Sequence, residues 1–161
     1  MNQQPTFSII TITYNAERWL ERTILSVLSQ SYPNIEYILI DGASKDKTVE
    51  IIKQYESGIA SWISEPDKGL YDAMNKGFNY ATGDIIGIIN SDDLLADPTA
   101  IAKVVRCFET DETIDAVYAD LYYVSRFDTS KIIRHWVSGR QRDFAKGWHP
   151  AHPTFYVKRE V

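Results

Sequence analysis

Four consecutive polar residues, Asn90, Ser91, Asp92 and Asp93, follow directly on the apolar run Ile85 to Ile89. A run this short reads as a buried strand, because it cannot bury a helical face. Two carboxylates therefore sit at a strand C-terminus, the end at which open parallel sheets bind ligands. Adjacent carboxylates there suit a hard cation, magnesium or manganese, that shares its other coordination sites with phosphate oxygens and water. Neighbouring side chains on an extended segment point to opposite sides. One of the pair is then expected on the metal, with the other free to meet a ribose hydroxyl. The competing reading is a polar loop that caps the helix beginning near Pro98.

The elements that must position these residues alternate along the chain. Phe7 to Thr13 is a strand, and a helical spacing of Leu20, Ile24, Val27 and Leu28 follows it. Ile35 to Ile40 is a second strand that exits into Asp41-Gly42-Ala43-Ser44, and Thr48 to Tyr55 continues as a helix. Ser61 to Ser64 is a weaker strand. Leu70, Met74, Phe78 and Ala81 mark a helix closed by Gly83, which leads into the acidic strand. A helix over Thr99 to Phe108 and a strand at Ala116 to Ala119 come next. Leu121 to Phe127 and Lys131 to Val137 read as an antiparallel hairpin, and Thr154 to Val157 as a last strand. The predicted class is α/β, a mixed and mainly parallel sheet flanked by helices, with a late antiparallel hairpin.

The totals narrow the function classes. The 161 residues fit one domain with its own core, and 44% hydrophobic with 24% charged residues excludes disordered and collagen-like chains. A net charge of -5 argues against a nucleic-acid partner. The single cysteine, Cys107, lies among Val104, Val105 and Phe108 and is expected as a reduced, buried thiol. Met1 to Pro5 shows no signal-peptide pattern, and no apolar run approaches membrane-spanning length. A cytoplasmic protein is expected, with peripheral association at the inner face of a membrane left open.

The ordered motifs resemble those of family 2 glycosyltransferases with a GT-A fold, over nearly all of the chain. The opening strand ends in Thr13-Tyr14-Asn15, and Leu20, Ile24, Ser26, Leu28 and Gln30 follow the family's first helix. The second motif departs from the commoner Asp-Asp-Gly-Ser: Asp41 is kept, but Gly42 stands in the second acidic place. The third is Glu65-Pro66-Asp67-Lys68-Gly69 with Tyr71 to Gly77 behind it, and the acidic signature reads Asn90-Ser91-Asp92, extended by Asp93. The resemblance implies donor contacts from Thr13, Tyr14, Asn15, Asp41, Asp67, Lys68, Gly69, Asn75, Asn90 and Asp92. It also implies metal binding by Asp93, with Asp92 and a late histidine, His152, beside it. Each residue has a plainer reading: Asp41 turns with Ser44, Asp67 caps a helix, and His149 and His152 are structural in a Pro-rich loop. Trp136 and Trp148 are expected in packing rather than in sugar stacking.

By that resemblance the chain is a transferase that takes a sugar from a nucleotide donor, UDP-linked in the first instance, to a polysaccharide or glycolipid acceptor. The reaction inverts the sugar: a carboxylate base deprotonates the acceptor, and a Mn2+ or Mg2+ ion stabilises the leaving diphosphate. The family's base is expected beyond Val161, so residues 1–161 read as one GT-A-like domain truncated on its C-terminal side. Asp120 is the internal candidate. A non-catalytic sugar-nucleotide-binding module fits the missing base. A nucleotidyltransferase would follow its first strand with a Gly-rich basic loop, where Ala16-Glu17 stands here. A glycosidase needs two separated carboxyls, which adjacent aspartates do not supply.

Overall fold

The computed structural model describes residues 4–161; Met1 to Gln3, part of the N-terminal segment read above, lie outside the described residues. In chain order the strands are Phe7–Thr13 (β1), Ile35–Asp41 (β2), Ser61–Ser64 (β3), Ile85–Asn90 (β4), Ala116–Tyr118 (β5), Leu121–Val124 (β6), Ile132–Trp136 (β7) and Phe155–Lys158 (β8). The α-helices are Leu20–Leu28 (α1), Thr48–Gln54 (α2), Leu70–Tyr80 (α3) and Ala100–Thr110 (α4). One sheet runs in the order β3-β2-β1-β4-β8-β5, and β6 and β7 pair as a separate hairpin. The first four strands of the sheet are mutually parallel, and β8 joins β4 and β5 antiparallel.

Strand β1 is buried at every position because both faces of the sheet carry helices. Alternation sends Phe7 and Ile9, with Tyr37 and Leu39 of β2, to one core, where α1, α2 and α4 bring Ile24, Ile52 and Ile101. Ile10, Ile12, Ile38 and Ile40 face the other core, which α3 covers with Ala73. Helix α3 comes close to the sheet at Gly77, where a β-carbon would stand 2.4 Å from Cγ2 of Ile10.

The hydrophobic face of α4 consists of Ile101, Val104, Val105 and Phe108. Cys107 falls off that face and is exposed, which corrects the expected buried thiol. Its Sγ lies 3.4 Å from the carbonyl of Lys103 in the preceding turn. Helix α1 ends at Leu28, as its spacing suggests, two residues before the Gln30 that the family resemblance includes. Gln30 instead leaves the helix to bridge α1 to α4, with its Nε2 donating to the Asp97 carbonyl at 2.9 Å and its Oε1 accepting from Ile101 N at 3.1 Å.

At the sheet end opposite the acids, Glu36 ties three elements together. Its carboxylate accepts from Ser8 Oγ, from Thr82 Oγ1 at 2.6 Å, from Thr82 N at 2.8 Å and from Gly83 N at 3.3 Å. Burial alone would raise its pKa, but those bonds together hold it below the ordinary 4.5. A depressed carboxyl stabilises the fold above its unfolded pKa, and the contribution is lost as pH falls through the folded value. Glu36→Gln is therefore expected to cost about 1–3 kcal/mol at neutral pH by urea unfolding. The deficit should shrink as pH drops below 4.5, and a deficit that stays constant with pH would remove this account.

Candidate functional site

The parallel register sets the site. Thr13 pairs with Asp41, Asp41 with Ser64, and Ile12 with Asn90, so four strands deliver their C-terminal residues to one edge. Helices α1 and α3 lead away from that edge.

After Asn90 the chain does not stay extended, contrary to the expectation that set Asp92 and Asp93 on opposite sides of a strand. Asp93 N donates to the Asn90 carbonyl at 3.1 Å, closing a turn that leaves Asp92 exposed and Asp93 half-buried. Helix α1 holds this turn through the buried hydroxyl of Thr23, which donates to the carbonyls of Ser91 (2.9 Å) and Asp93 (2.8 Å). Neither acid caps α4. That approach is held by Asp97, whose Oδ1 accepts from Thr99 N at 2.8 Å. The amide of Asn90 then gathers two candidate ligands: its Nδ2 donates to Asp93 Oδ2 at 2.8 Å and lies 3.2 Å from His152 Nε2.

Burial pushes the Asp93 carboxyl above its ordinary range, and the charge of Asp92 adds to the rise; the Asn90 bond and His152 act against it. The donor set fits a divalent ion in kind, since one carboxylate and one imidazole are hard-to-borderline ligands that manganese accepts. It is not a closed cage. Among the described residues no group of three or more His, Cys, Asp or Glu is placed to hold a metal ion. Asp93 and His152 would hold such an ion, with phosphate and water filling the remaining positions.

On the other side of the edge, Asp41 is fully buried. Its oxygens accept from Ser44 Oγ, from Ser44 N at 3.0 Å and from Ser64 Oγ at 2.6 Å. Asp41 thus shapes the loop, as the turn reading expected, and presents no carboxylate to solvent. Asn15, in the left-handed region at φ 49, binds the two neighbouring loops together. Its Oδ1 accepts from Lys45 N and its own N donates to Ser44 Oγ, both at 2.8 Å. The hydroxyl of Thr13 is buried without a hydrogen-bond partner among the described residues.

Tyr14 leaves the sheet edge with 63% of its surface exposed. Both Tyr14 and Asp67 border Gly42. A β-carbon placed on Gly42 would lie 2.5 Å from Asp67 Oδ2 and 3.3 Å from Cδ2 of Tyr14. The carboxylate of Asp67 thus fills the space that a side chain at position 42 would need. Its other oxygen accepts from Gly69 N at 2.8 Å, and Gly69 itself takes φ 110, a conformation suited to glycine. Lys76 fastens this loop to α3, with Nζ 2.8 Å from Glu65 and 2.9 Å from the Pro66 carbonyl. Lys68 and Asn75 are exposed.

The late segment separates the remaining expectations. Asp120 is committed to the base of the hairpin: Oδ2 lies 3.1 Å from His135 Nε2 and Oδ1 accepts from Ser138 N at 2.9 Å. Trp148 packs edge-on against Tyr118 and Phe144, and Trp136 against His149. An apolar groove of about 490 Å³ opens beside His152, walled by Leu70, Met74 and Phe78 of α3 and by Ile86, Ile88 and Phe155 of the sheet. Thr23, Ser64 and Lys76 position the site without having been singled out from the sequence. Lys76 carried a signal, its i,i+4 spacing from Asp72; Thr23 carried none, because its partners are carbonyls far along the chain.

A family model described as "Glycosyl transferase family 2" matches residues 8–159. An uncharacterised glycosyltransferase of Mycobacterium tuberculosis is 44% identical over 107 residues, covering 66% of this chain and 41% of that protein. A PGL/p-HBAD biosynthesis glycosyltransferase of Mycobacterium bovis is 32% identical over 120 residues, 73% of this chain and 47% of its own length. The matched segment thus spans less than half of these relatives. Among solved structures, a mannosyltransferase from Pyrobaculum calidifontis in complex with GDP-Man and Mn2+ superposes with a TM-score of 0.75, 23% identity, and coverage of 99% of this chain and 46% of that one. S. aureus TarS 1-349 in complex with UDP-GlcNAc gives 0.71 and 17% identity, over 96% of this chain and 45% of that one. The shared architecture is GT-A.

The raised Asp93 has a measurable consequence for the ligand-free protein. The stability that its protonated form contributes is complete below the ordinary 3.8 and is lost as pH rises through the raised folded value. Asp93→Asn should gain stability relative to wild type across that window in urea unfolding. A difference between the two proteins that is independent of pH would exclude burial of the charge as the cause.

Proposed function

The chain belongs to glycosyl transferase family 2, and from that premise we propose that its strand-end edge binds a nucleoside-diphosphate sugar, UDP-linked in the first instance, for inverting transfer to an acceptor hydroxyl. The carrying observation is the Asn90 amide, which gathers Asp93 and His152 at the same edge as Tyr14 and Asp67. The crystallised neighbours with UDP-GlcNAc and with GDP-Man and Mn2+ support a donor of this class.

In this reading the exposed ring of Tyr14 is a stacking surface for the base. Asp67 takes over from the missing second acid: its Oδ2 accepts from a ring N–H such as uracil offers. Asp41 and Asn15 act as positioning residues that hold the loops bearing Tyr14. The unpartnered Thr13 hydroxyl lies at the end of β1 behind them. Lys68 faces the donor phosphates, and Asp92 is free for a ribose hydroxyl. Charge neutralisation of the leaving diphosphate is what a manganese or magnesium ion held by Asp93 and His152 supplies.

The groove beside His152 suits an acceptor with an apolar portion, which favours a glycolipid over a bare polysaccharide. Asp120 is spent on the hairpin, and we assign the acceptor-side base to sequence that the longer relatives carry outside the matched segment. That assignment keeps a second reading alive, a module that binds sugar nucleotide without transferring it. Product formation from a radiolabelled donor separates the two.

Calorimetry with UDP, with and without Mn2+, tests the donor site. Wild type should bind more tightly with the metal, and Asp93→Ala should lose at least about tenfold in affinity, the worth of one charge-assisted contact. Gly42→Asp, which drives a side chain into the Asp67 carboxylate, should weaken binding both with and without metal. No heat from UDP or GDP under either condition would end the donor-site reading.

A further inference from the structure

The hairpin of β6 and β7 stands apart from the main sheet, and its composition differs from that of the rest of the chain. Residues 121–146 carry six Lys and Arg against two Asp, a net of +4. The other 135 residues carry 11 Lys and Arg against 20 Asp and Glu, a net of -9. The basic side chains are exposed and spread from Arg126 and Lys131 at the turn, through Arg134, to Arg140, Arg142 and Lys146.

Apolar groups are exposed among them. Phe127 is 84% exposed and Ile133 68%, and Ile132 and Val137 are also open to solvent. Ile133 is the residue left out of the pairing at the irregularity between Tyr123 and Val124, which turns its side chain out of the ladder. An isolated two-stranded hairpin is marginal in water unless something packs on it. Among the described residues the protein supplies the edge-on contact of Trp136 with His149 and a few anchors. Asp120 and the Ala119 carbonyl hold its base through His135 and Ser138, and Arg22 of α1 reaches Thr129 at the tip at 3.2 Å. Cation-π contacts of Arg134 with Tyr123 and Trp136 hold one face without burying it.

We propose that this hairpin, with the basic segment through Lys146, docks the protein on an anionic lipid surface. Aliphatic and aromatic side chains flanked by Lys and Arg match an interface in which apolar groups enter the headgroup boundary while cations meet lipid phosphates. The charge segregation selects this occupant. A second copy joined hairpin to hairpin across a two-fold axis would set one +4 patch against another, with net repulsion. The acidic remainder of the protein is repelled by the same membrane, so the hairpin fixes orientation as well as attachment.

The test is co-sedimentation of the chain with vesicles of phosphatidylcholine alone and with phosphatidylglycerol added, without nucleotide, so that the result is independent of the donor site. Binding to the anionic vesicles only, reduced at least about tenfold by Arg126→Glu/Lys131→Glu and by raised salt, is expected. Phe127→Ser/Ile133→Ser should weaken it as well, with unchanged melting curves showing that both variants are folded. Equal binding to neutral vesicles, or no binding to either, overturns the proposal. So does a concentration-dependent dimer that Phe127→Ser/Ile133→Ser dissociates while vesicles capture nothing.

Discussion

Every feature of the edge depends on the position of β1, hydrogen-bonded on both sides to parallel strands and buried along its length. Buried backbone donors and acceptors must be paired, so β1 cannot slip relative to β2 or β4 without breaking two ladders and reversing which side chains face which core. This double constraint brings Thr13, Asp41 and Asn90, far apart in sequence, to one level. Glu36 reinforces it from the opposite end by joining Ser8 of β1 to the turn that starts β4.

The acidic turn shows a tension that the frame makes tolerable. A carboxyl with a raised pKa is held where its charge is poorly solvated, and the turn carrying it is secured by Thr23 of α1 rather than by its own ladder. Such an arrangement costs stability when the carboxyl is charged. Asn90 is central to it. A carboxylate in its place would repel Asp93, whereas the amide donates to the carboxylate and reaches the imidazole of His152. The exchange at Gly42 follows the same logic of space and charge: absence of one side chain lets the Asp67 carboxylate approach the strand end from another loop.

Outside the edge the molecule is divided electrostatically. An acidic sheet-and-helix body carries a basic, apolar hairpin that contributes nothing to either core. Among the described residues no helix is long and apolar enough to cross a membrane.

The sequence by itself determined the alternation of strands and helices, the strand that ends in Asn90 and the family resemblance, because periodicity and turn residues are local signals. It also placed Asp93 behind a buried strand. Only the tertiary structure decided what each polar residue is spent on. Asp41 gains Ser64 from β3 besides the local turn with Ser44, Asp120 is taken by His135 and Ser138, Asp67 occupies the space left at Gly42, and Cys107 faces outward because the neighbouring positions on α4 fill the core. These outcomes depend on distances between segments tens of residues apart. Such distances are set by sheet register and packing, and no spacing along the chain encodes them.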